Sequence, residues 1–499
     1  MTPEANIETT TPTPTPQSSI NHPRGLYTLF FTEMWERFSY YGMRALLVLF
    51  MTDAVRGGFG LTDKMAASIY GLYTAAAYLA ALPGGWVADR LLGAQRAVWF
   101  GGIIIAAGHF SLAIPAVPTF YLGLVLVVVG TGFLKPNVSA IVGQLYPEGG
   151  ARRDAGFTIF YMGINLGAAI GPLICSYLGE KVNWHYGFGA AGVGMLFGLI
   201  QFRFTARHLG EAGKKPGHPQ KASQKHWTFF LAGLGLLALI TILALSGVVR
   251  INPVVVAQNT TYIIVGVAVV YFLSLFIFSD LNATEKKRLC VILVLFVSSA
   301  MFWAGFEQAG SSLNLFADRF TTRLIGNWEM PAGWFQAYNP VFIITLAPVV
   351  ASVWVILARG RMNPSLPVKF ALGLLLLGAG FLVMAGASKL VTGGNKVWPT
   401  WLITTYLLHS IGELCLSPVG LSSVTKLAPP RLVGQMMGVW FLATSLGNLI
   451  AGLIAGEVTG ESAGQMPARF LQMFLTTCGT GVVLLLLAKP IKKLMSGVE

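Results

Sequence analysis

Apolar residues run along this chain in long blocks, and polar residues gather in the gaps between them. About 20 apolar residues suffice to cross a bilayer as a helix. Fourteen such spans are legible, at about 27–51, 65–88, 97–114, 119–141, 156–178, 186–204, 227–247, 260–279, 289–316, 335–358, 369–386, 399–424, 433–455 and 468–488. The gap at 205–226 is polar and basic, with Lys214-Lys-Pro-Gly-His-Pro at its centre. It separates six spans from eight. Spans seven and eight carry no ionisable residue at depth and read as lipid-facing helices inserted between two six-helix halves. The pattern predicts an all-α membrane protein. Its parts are a six-helix bundle over 25–204, a cytoplasmic linker over 205–226, two inserted transmembrane helices over 227–280 and a second six-helix bundle over 281–490. Residues 1–24, with a Thr/Pro tract and no apolar core, read as a disordered tail and not as a signal peptide. Residues 491–499 read as a second tail.

Composition agrees with a bilayer as solvent. The chain is 54% hydrophobic and 11% charged, where an ordinary soluble domain carries about 25% charged residues. The net charge of +14 suggests nucleic acid until its distribution is followed. With the N-terminus placed inside, 22 of the 34 Lys and Arg fall in inner segments and 8 in outer ones. This bias places both termini in the cytoplasm and accounts for the basic charge without a nucleic-acid partner. Cys175, Cys290, Cys415 and Cys478 lie in or beside apolar spans and form no C-x-x-C pair. They read as small core residues, not as disulfides or metal ligands.

The informative residues are the charges that break the apolar blocks. Glu33-Met-Trp-Glu-Arg-Phe-Ser-Tyr-Tyr-Gly-Met-Arg44 puts four charges inside the first span. A charge at membrane depth costs roughly 2.5 kcal/mol or more unless it is paired or faces water. Glu33, Glu36, Arg37, Tyr40 and Arg44 fall on one helical face. That face must line a polar path; a structural ion pair between helices is the simpler alternative, and four charges exceed what one pair needs. In the fourth span, Lys135 precedes Pro136, which is expected to bend the helix. Gly130 and Gly132 follow no strand and make no dinucleotide site. A lysine this deep calls for a carboxylate, its own or a substrate's. Asn165, in the fifth span, has donors and an acceptor for either an interhelical bond or a substrate. The second half supplies Glu307, Asn339, Glu413 and Ser417 in spans nine, ten and twelve, and Trp440 in span thirteen. Bases at depth lie only in the first half and acids lie in both, so cross-half pairs can form and break as a rocking carrier requires. His109 and His409 read as core histidines.

Two resemblances follow from these motifs. Gly84-Gly-Trp-Val-Ala-Asp89-Arg90-Leu-Leu-Gly93-Ala-Gln-Arg96 resembles the cytoplasmic loop of the major facilitator superfamily. Glu33-x-x-Glu36-Arg37-Phe-Ser-Tyr40-Tyr41-Gly, Phe160-Tyr-x-x-Ile-Asn165-x-Gly167, Glu307-Gln308-x-Gly310, Asn339-Pro340 and Gly412-Glu413-Leu-x-x-Ser417-Pro resemble the signatures of the proton-dependent oligopeptide transporter family, prokaryotic type. The resemblance covers Leu26 to Leu487. It implies a major facilitator fold of fourteen transmembrane helices and symport of di- and tripeptides with protons, the only coupling ion, across an inner membrane. It implies no further cofactor and a functional monomer. Carried over by position, Arg37, Tyr41 and Lys135 would hold the peptide carboxylate, and Asn165, Asn339 and Glu413, with Ser417 beside it, the amino end. Tyr40, Tyr78 and Trp440 would shape side-chain pockets. Arg44 with Glu307 would form an outer gate pair and Lys135 with Glu413 an inner one. Glu33, Glu36 and Glu307, with Arg37 beside them, would carry the proton coupling.

The residues support that reading independently: a zwitterionic peptide is complemented by cations in one half and acids in the other. The nearest alternative is a proton-coupled carrier of another small solute, such as nitrate or a peptide-like drug. An enzyme is not expected, since no H-E-x-x-H, G-x-S-x-G or metal-ligand cluster stands at depth. A channel is not expected either, for want of a ring or repeated filter.

Overall fold

The structure is a computed structural model that describes residues 21–217, 224–360, 362–458 and 463–497. The greater part of the 1–24 tail lies outside the described residues.

The chain is almost entirely helical. In order it forms α1 (Arg24–Thr52), α2 (Asp63–Leu79), α3 (Ala81–Val87), α4 (Ala94–Leu112), α5 (Val117–Gln144), α6 (Gly150–Lys181) and α7 (Trp184–Thr205), then α8 (Gln224–Leu245) and α9 (Pro253–Phe278). The rest is α10 (Ala283–Phe306), α11 (Ser312–Phe320), α12 (Tyr338–Arg359), α13 (Leu366–Val391), α14 (Thr400–Leu427), α15 (Val433–Val458), α16 (Met466–Leu486) and the short α17 (Ala488–Leu494). The only strands among the described residues are a two-residue hairpin, Leu324–Ile325 with Trp328–Glu329. Twelve helical segments of the described residues are long and apolar enough to cross a membrane. Two more, α1 with four charges at depth and the 19-residue α4, stand where the first and third spans are predicted. This is an integral membrane protein of the major facilitator fold, consistent with the fourteen predicted spans.

Several sequence expectations change in detail. The second span turns at Ala80 and ends in a wide turn, Ala88–Leu92, that carries Asp89 and Arg90. The ninth span breaks at Glu307: residues 307–310 form a tight helical turn, Ser311 leaves helical geometry, and α11 restarts at Ser312. At Pro136 α5 continues as one unbroken helix. Part of the linker is built: Gln95 Nε2 donates to the carbonyls of Gly210 and Ala212, and Gly213 N–H donates to Gln144 Oε1. The predicted 491–499 tail begins inside α17, whose Ile491 is buried.

Within the first half α1 packs on α6 and α7, and α4 on α5 and α7; within the second, α13 packs on α14 and α16, and α12 on α14. The halves meet along α2 and α15, where Gly71 and Gly452 let the backbones touch: a Cβ on Gly71 would lie 2.9 Å from Gly452 Cα. Helix α9 packs on both α2 and α15, across that seam. Helix α8 has no buried residue, so its face is left to lipid.

Candidate functional site

Helix α1 carries the charged face, and its neighbour α6 is held close by glycine. A Cβ on Gly167 would lie 2.0 Å from the Met34 carbonyl oxygen. That contact explains the glycine of the Phe160-to-Gly167 motif, which keeps Asn165 beside α1. All four charged residues of the α1 motif are buried. Arg37 Nε lies 2.9 Å from Glu33 Oε1 and also contacts Glu36. The geometry is incomplete: Glu36 Oε1, Glu33 Oε2 and Arg37 Nη2 have no hydrogen-bond partner among the described residues. A buried polar atom left unpaired costs about 1–3 kcal/mol. Carboxylate oxygens left open in this way are places where a proton is accommodated at little further cost. The guanidinium of Arg37 also lies 5.5 Å from the Tyr40 ring, a cation–π distance.

One helix turn pair farther along, Arg44 Nη1 lies 3.3 Å from Glu307 Oε2. This pair joins the first half to the second, as predicted. The break after α10 positions Glu307, and its motif residues make the break. Gln308 Nε2 donates to the carbonyls of Ala304 and Ala451, and Ser312 Oγ donates to Gln308 Oε1. A Cβ on Gly310 would lie 2.1 Å from Tyr70 Oη and 2.9 Å from Arg44 Nε; only glycine admits the ion pair. Tyr70 Oη donates to Glu307 Oε2 at 3.2 Å, and the Tyr41 and Tyr70 rings lie 5.3 and 5.9 Å from the Arg44 guanidinium. Tyr70 was not singled out by the sequence, because an isolated tyrosine in an apolar span reads as packing.

The remaining predicted residues divide. Lys135 Nζ sits 3.7 Å from the centre of the Tyr78 ring and makes no ion pair among the described residues. The predicted Lys135–Glu413 contact is not formed in this structure. Glu413 Oε2 instead accepts from Asn339 Nδ2 at 3.1 Å, and Asn339 Nδ2 also donates to Ser410 Oγ. Asn165 Nδ2 donates to the carbonyl of Tyr161 on its own helix, so its bond is not interhelical. Ser417 Oγ has no partner among the described residues. The Trp440 ring, 8% exposed, packs against Gly420, where a Cβ would come within 2.2 Å of it. His409 Nε2 meets the Leu377 carbonyl, as a core histidine should, whereas both nitrogens of the buried His109 lack a partner among the described residues.

Cross-half contacts concentrate at one end of the molecule, the end away from the 205–226 linker. Besides Arg44–Glu307, Arg319 makes a two-pronged pair with Asp63 at 2.7 and 2.8 Å, and Lys181 Nζ lies 3.3 Å from Glu329. Glu180, unremarked in the sequence because it stands beside Lys181 at a span's end, is 7% exposed and faces Arg323. At the linker end Lys135 and Glu413 stand apart. An apolar groove of about 700 Å³ between α1, α4, α6 and α7 is lined by Trp35, Phe38, Phe110 and Phe197; it lies away from the charges and is not this site. No cluster of metal-ligating residues occurs among the described residues.

The chain resembles known proteins along most of its length. The profile described as "PTR2: POT family" matches residues 95–477. The chain is 44% identical to the peptide transporter YePEPT of Yersinia enterocolitica subsp. palearctica serotype O:3, covering 99% of each chain. It is 38% identical to a di-/tripeptide transporter of Lactococcus lactis subsp. cremoris, covering 97% of this chain and 99% of the relative. Among solved structures it superposes on a sulfate complex of a peptide transporter POT with a TM-score of 0.89 and 42% identity, covering 96% of this chain and 97% of that one. An alafosfalin complex of a mutant of a peptide transporter POT gives a TM-score of 0.88 at 42% identity, covering 96% of this chain and 97% of that one. With a profile that spans most of its length and relatives matched end to end, this chain belongs to the POT family of transporters.

Proposed function

We propose that the protein is a proton-driven symporter that takes di- and tripeptides into the cytoplasm by alternating access, working as a monomer in the cytoplasmic membrane with both termini inside. The observation that carries this reading is the split of interior charge, Arg37 buried and Lys135 and Glu413 half-buried. Arg37 and Lys135 stand in the first half, and Glu413, held by Asn339, stands in the second. A peptide's carboxylate fits the first set and its amino group the second, so a bound zwitterion draws the halves together. The similar proteins named as peptide and di-/tripeptide transporters support the substrate class.

The charges also suggest how protons enter. Glu33, Glu36, Arg37 and Lys135 together are neutral. A peptide carboxylate arriving at Arg37 leaves one negative charge too many in a buried site, and a proton on Glu33 or Glu36 restores the balance. A proton on Glu307 removes the charge that faces Arg44, which frees that cross-half pair to open. In this reading the end bearing Arg44–Glu307 and Arg319–Asp63 is the outer end, closed here. Lys135 and Glu413 form the inner pair, apart here because the inner side is not closed. Residues 25–204 and 281–490 are the two rocking bundles.

Binding tests the substrate assignment directly. Dialanine should raise the melting temperature of the purified protein, whereas N-acetyl-dialanine and dialanine amide, each missing one charge, should raise it less. Equal shifts from all three, or a shift from nitrate alone, would sink the peptide reading and leave the other small-solute carrier standing.

A further inference from the structure

The predicted gate pairs leave out a second seam at the outer end, between α6 and the turn that starts α12. Three bonds cross it from α6. Glu180 Oε2 accepts from the Ala332 N–H at 2.7 Å, and Oε1 accepts from the Gly333 N–H at 2.8 Å. One helical stretch earlier, the Leu173 carbonyl accepts from Trp334 Nε1 at 2.9 Å. The approach is close enough to require glycine: a Cβ on Gly333 would lie 2.1 Å from Ser176 Oγ and 3.3 Å from Ala45 Cβ. Ala332 is fully buried, and the Glu180 carboxylate is shut in with it.

The turn itself is braced on the second-half side by Arg323. Its Nη1 donates to the Met330 carbonyl at 2.7 Å, and its Nη2 lies 2.9 Å from Asp318 and 3.1 Å from Glu329. Its distance to Glu180 Oε2, 3.7 Å, is that of a supporting charge and not of a bond. Residues 323–333 therefore form one preassembled receptor that moves with the second half. The Glu180 carboxylate, which moves with the first, plugs into it.

Resting on the transport reading above, we propose that Glu180 is a latch of the outer gate: a positioning residue whose carboxylate holds the α6–α12 seam shut and must leave the Ala332 and Gly333 N–H groups each time the site opens outward. The physical reason is the cost of partial separation. Backbone N–H groups bonded by a buried carboxylate lose a charge-assisted bond and gain none until water reaches them. The seam is therefore closed or fully open, with little in between. Its position matters for coupling as well. Helix α6 carries Asn165 and α12 begins with Asn339, two of the proposed substrate ligands. A latch at their outer ends ties the spacing of those ligands to the state of the gate.

The test reads the gate and not the substrate. Val182 and Leu324 are exposed on the two sides of the seam. With the four cysteines replaced by alanine, Val182→Cys and Leu324→Cys receive spin labels, and pulsed electron resonance in liposomes gives the distance distribution without peptide. E180Q keeps the shape but puts an amide donor against backbone donors, and G333A wedges the seam without touching charge. Both should raise the long-distance, outward-open population at least several-fold, while K389Q, at an exposed lysine of the same end, should change it little. E180D, which keeps the charge, should restore part of the closed population and stands in if E180Q fails to fold. A merely structural bond would lower the melting temperature of these variants and leave the distances alone. Unchanged distances in both G333A and the Glu180 variants would overturn the latch. Because no peptide is present, that outcome is independent of which solute the protein carries.

Discussion

At the scale of single residues the account rests on charges that change partners. Glu307 faces Arg44 across the halves at 3.3 Å. Glu307→Gln keeps the shape and removes the titration, so accumulation driven by a proton gradient should be lost while peptide exchange without a gradient persists. Counterflow in liposomes separates the two; retention of gradient-driven accumulation would remove Glu307 from the coupling. A ligand-holding role is expected to be milder. Asn165→Ala deletes one neutral amide partner and should weaken dialanine binding by about 0.5–1.5 kcal/mol, roughly a few-fold to tenfold in Kd, as read by competition. Legibility in the sequence followed how unusual each residue is for its surroundings. Charges inside apolar runs, Arg37, Arg44, Glu307 and Lys135, are conspicuous because lipid would not tolerate them. Glu180 was not, because a carboxylate beside a lysine at a span's end looks solvated. Its burial depends on a turn 152 residues later in the chain. The Lys135–Glu413 pair is a different case: here Lys135 lies on the Tyr78 ring and Glu413 accepts from Asn339, and in the proposed reading the two meet only when the inner end closes.

At the scale of elements, breaks and caps decide where those residues stand. The apolar run from 289 to 316 gives little hint of the interruption at 307–310, since Gly305 and Gly310 weaken a helix yet glycine is frequent in membrane-spanning ones. Only the bonds of Gln308 to α10 and α15, and the room made by Gly310, explain it. Gly310→Ala should therefore abolish transport while the protein still inserts, a result read by uptake against surface expression. The C-terminal end of α1 offers a pH-dependent counterpart. Burial disfavours the charge on Asp53, but hydrogen bonds from Trp184 Nε1 and from the Val55 and Arg56 N–H groups, with Arg56 nearby, hold its carboxyl below the ordinary value. A carboxyl lowered in the folded state adds stability above its unfolded pKa, about 3.9, and loses it as pH falls through the folded value. Asp53→Asn should lower the melting temperature near neutral pH, and the difference from the parent should shrink toward about pH 3. A constant difference across that range would show that the carboxylate's charge is not involved.

At the scale of the whole molecule, the succession of long apolar helices was legible because span length survives without knowledge of packing. The roles of the inserted helices were only half legible. Both look equally apolar, yet α8 buries nothing and α9 lies over the α2–α15 seam with Phe272 3% exposed. Phe272→Ala should destabilise the protein by up to about 3 kcal/mol, lipid refilling part of the space that a soluble core would leave empty. Leu236→Ala on α8, where the side chain is 59% exposed, should be nearly neutral. Thermal unfolding in one detergent compares them, and equal losses would contradict the assigned packing.

The central claim, that these halves carry peptides on a proton gradient, is tested most directly by uptake of labelled dialanine into liposomes holding the purified protein, with an inward proton gradient imposed and then collapsed. The account predicts accumulation above the external concentration while the gradient lasts and efflux to equality when it is collapsed. Equilibration to the same level with and without the gradient, or no entry at all beside gradient-driven uptake of another solute, would contradict it.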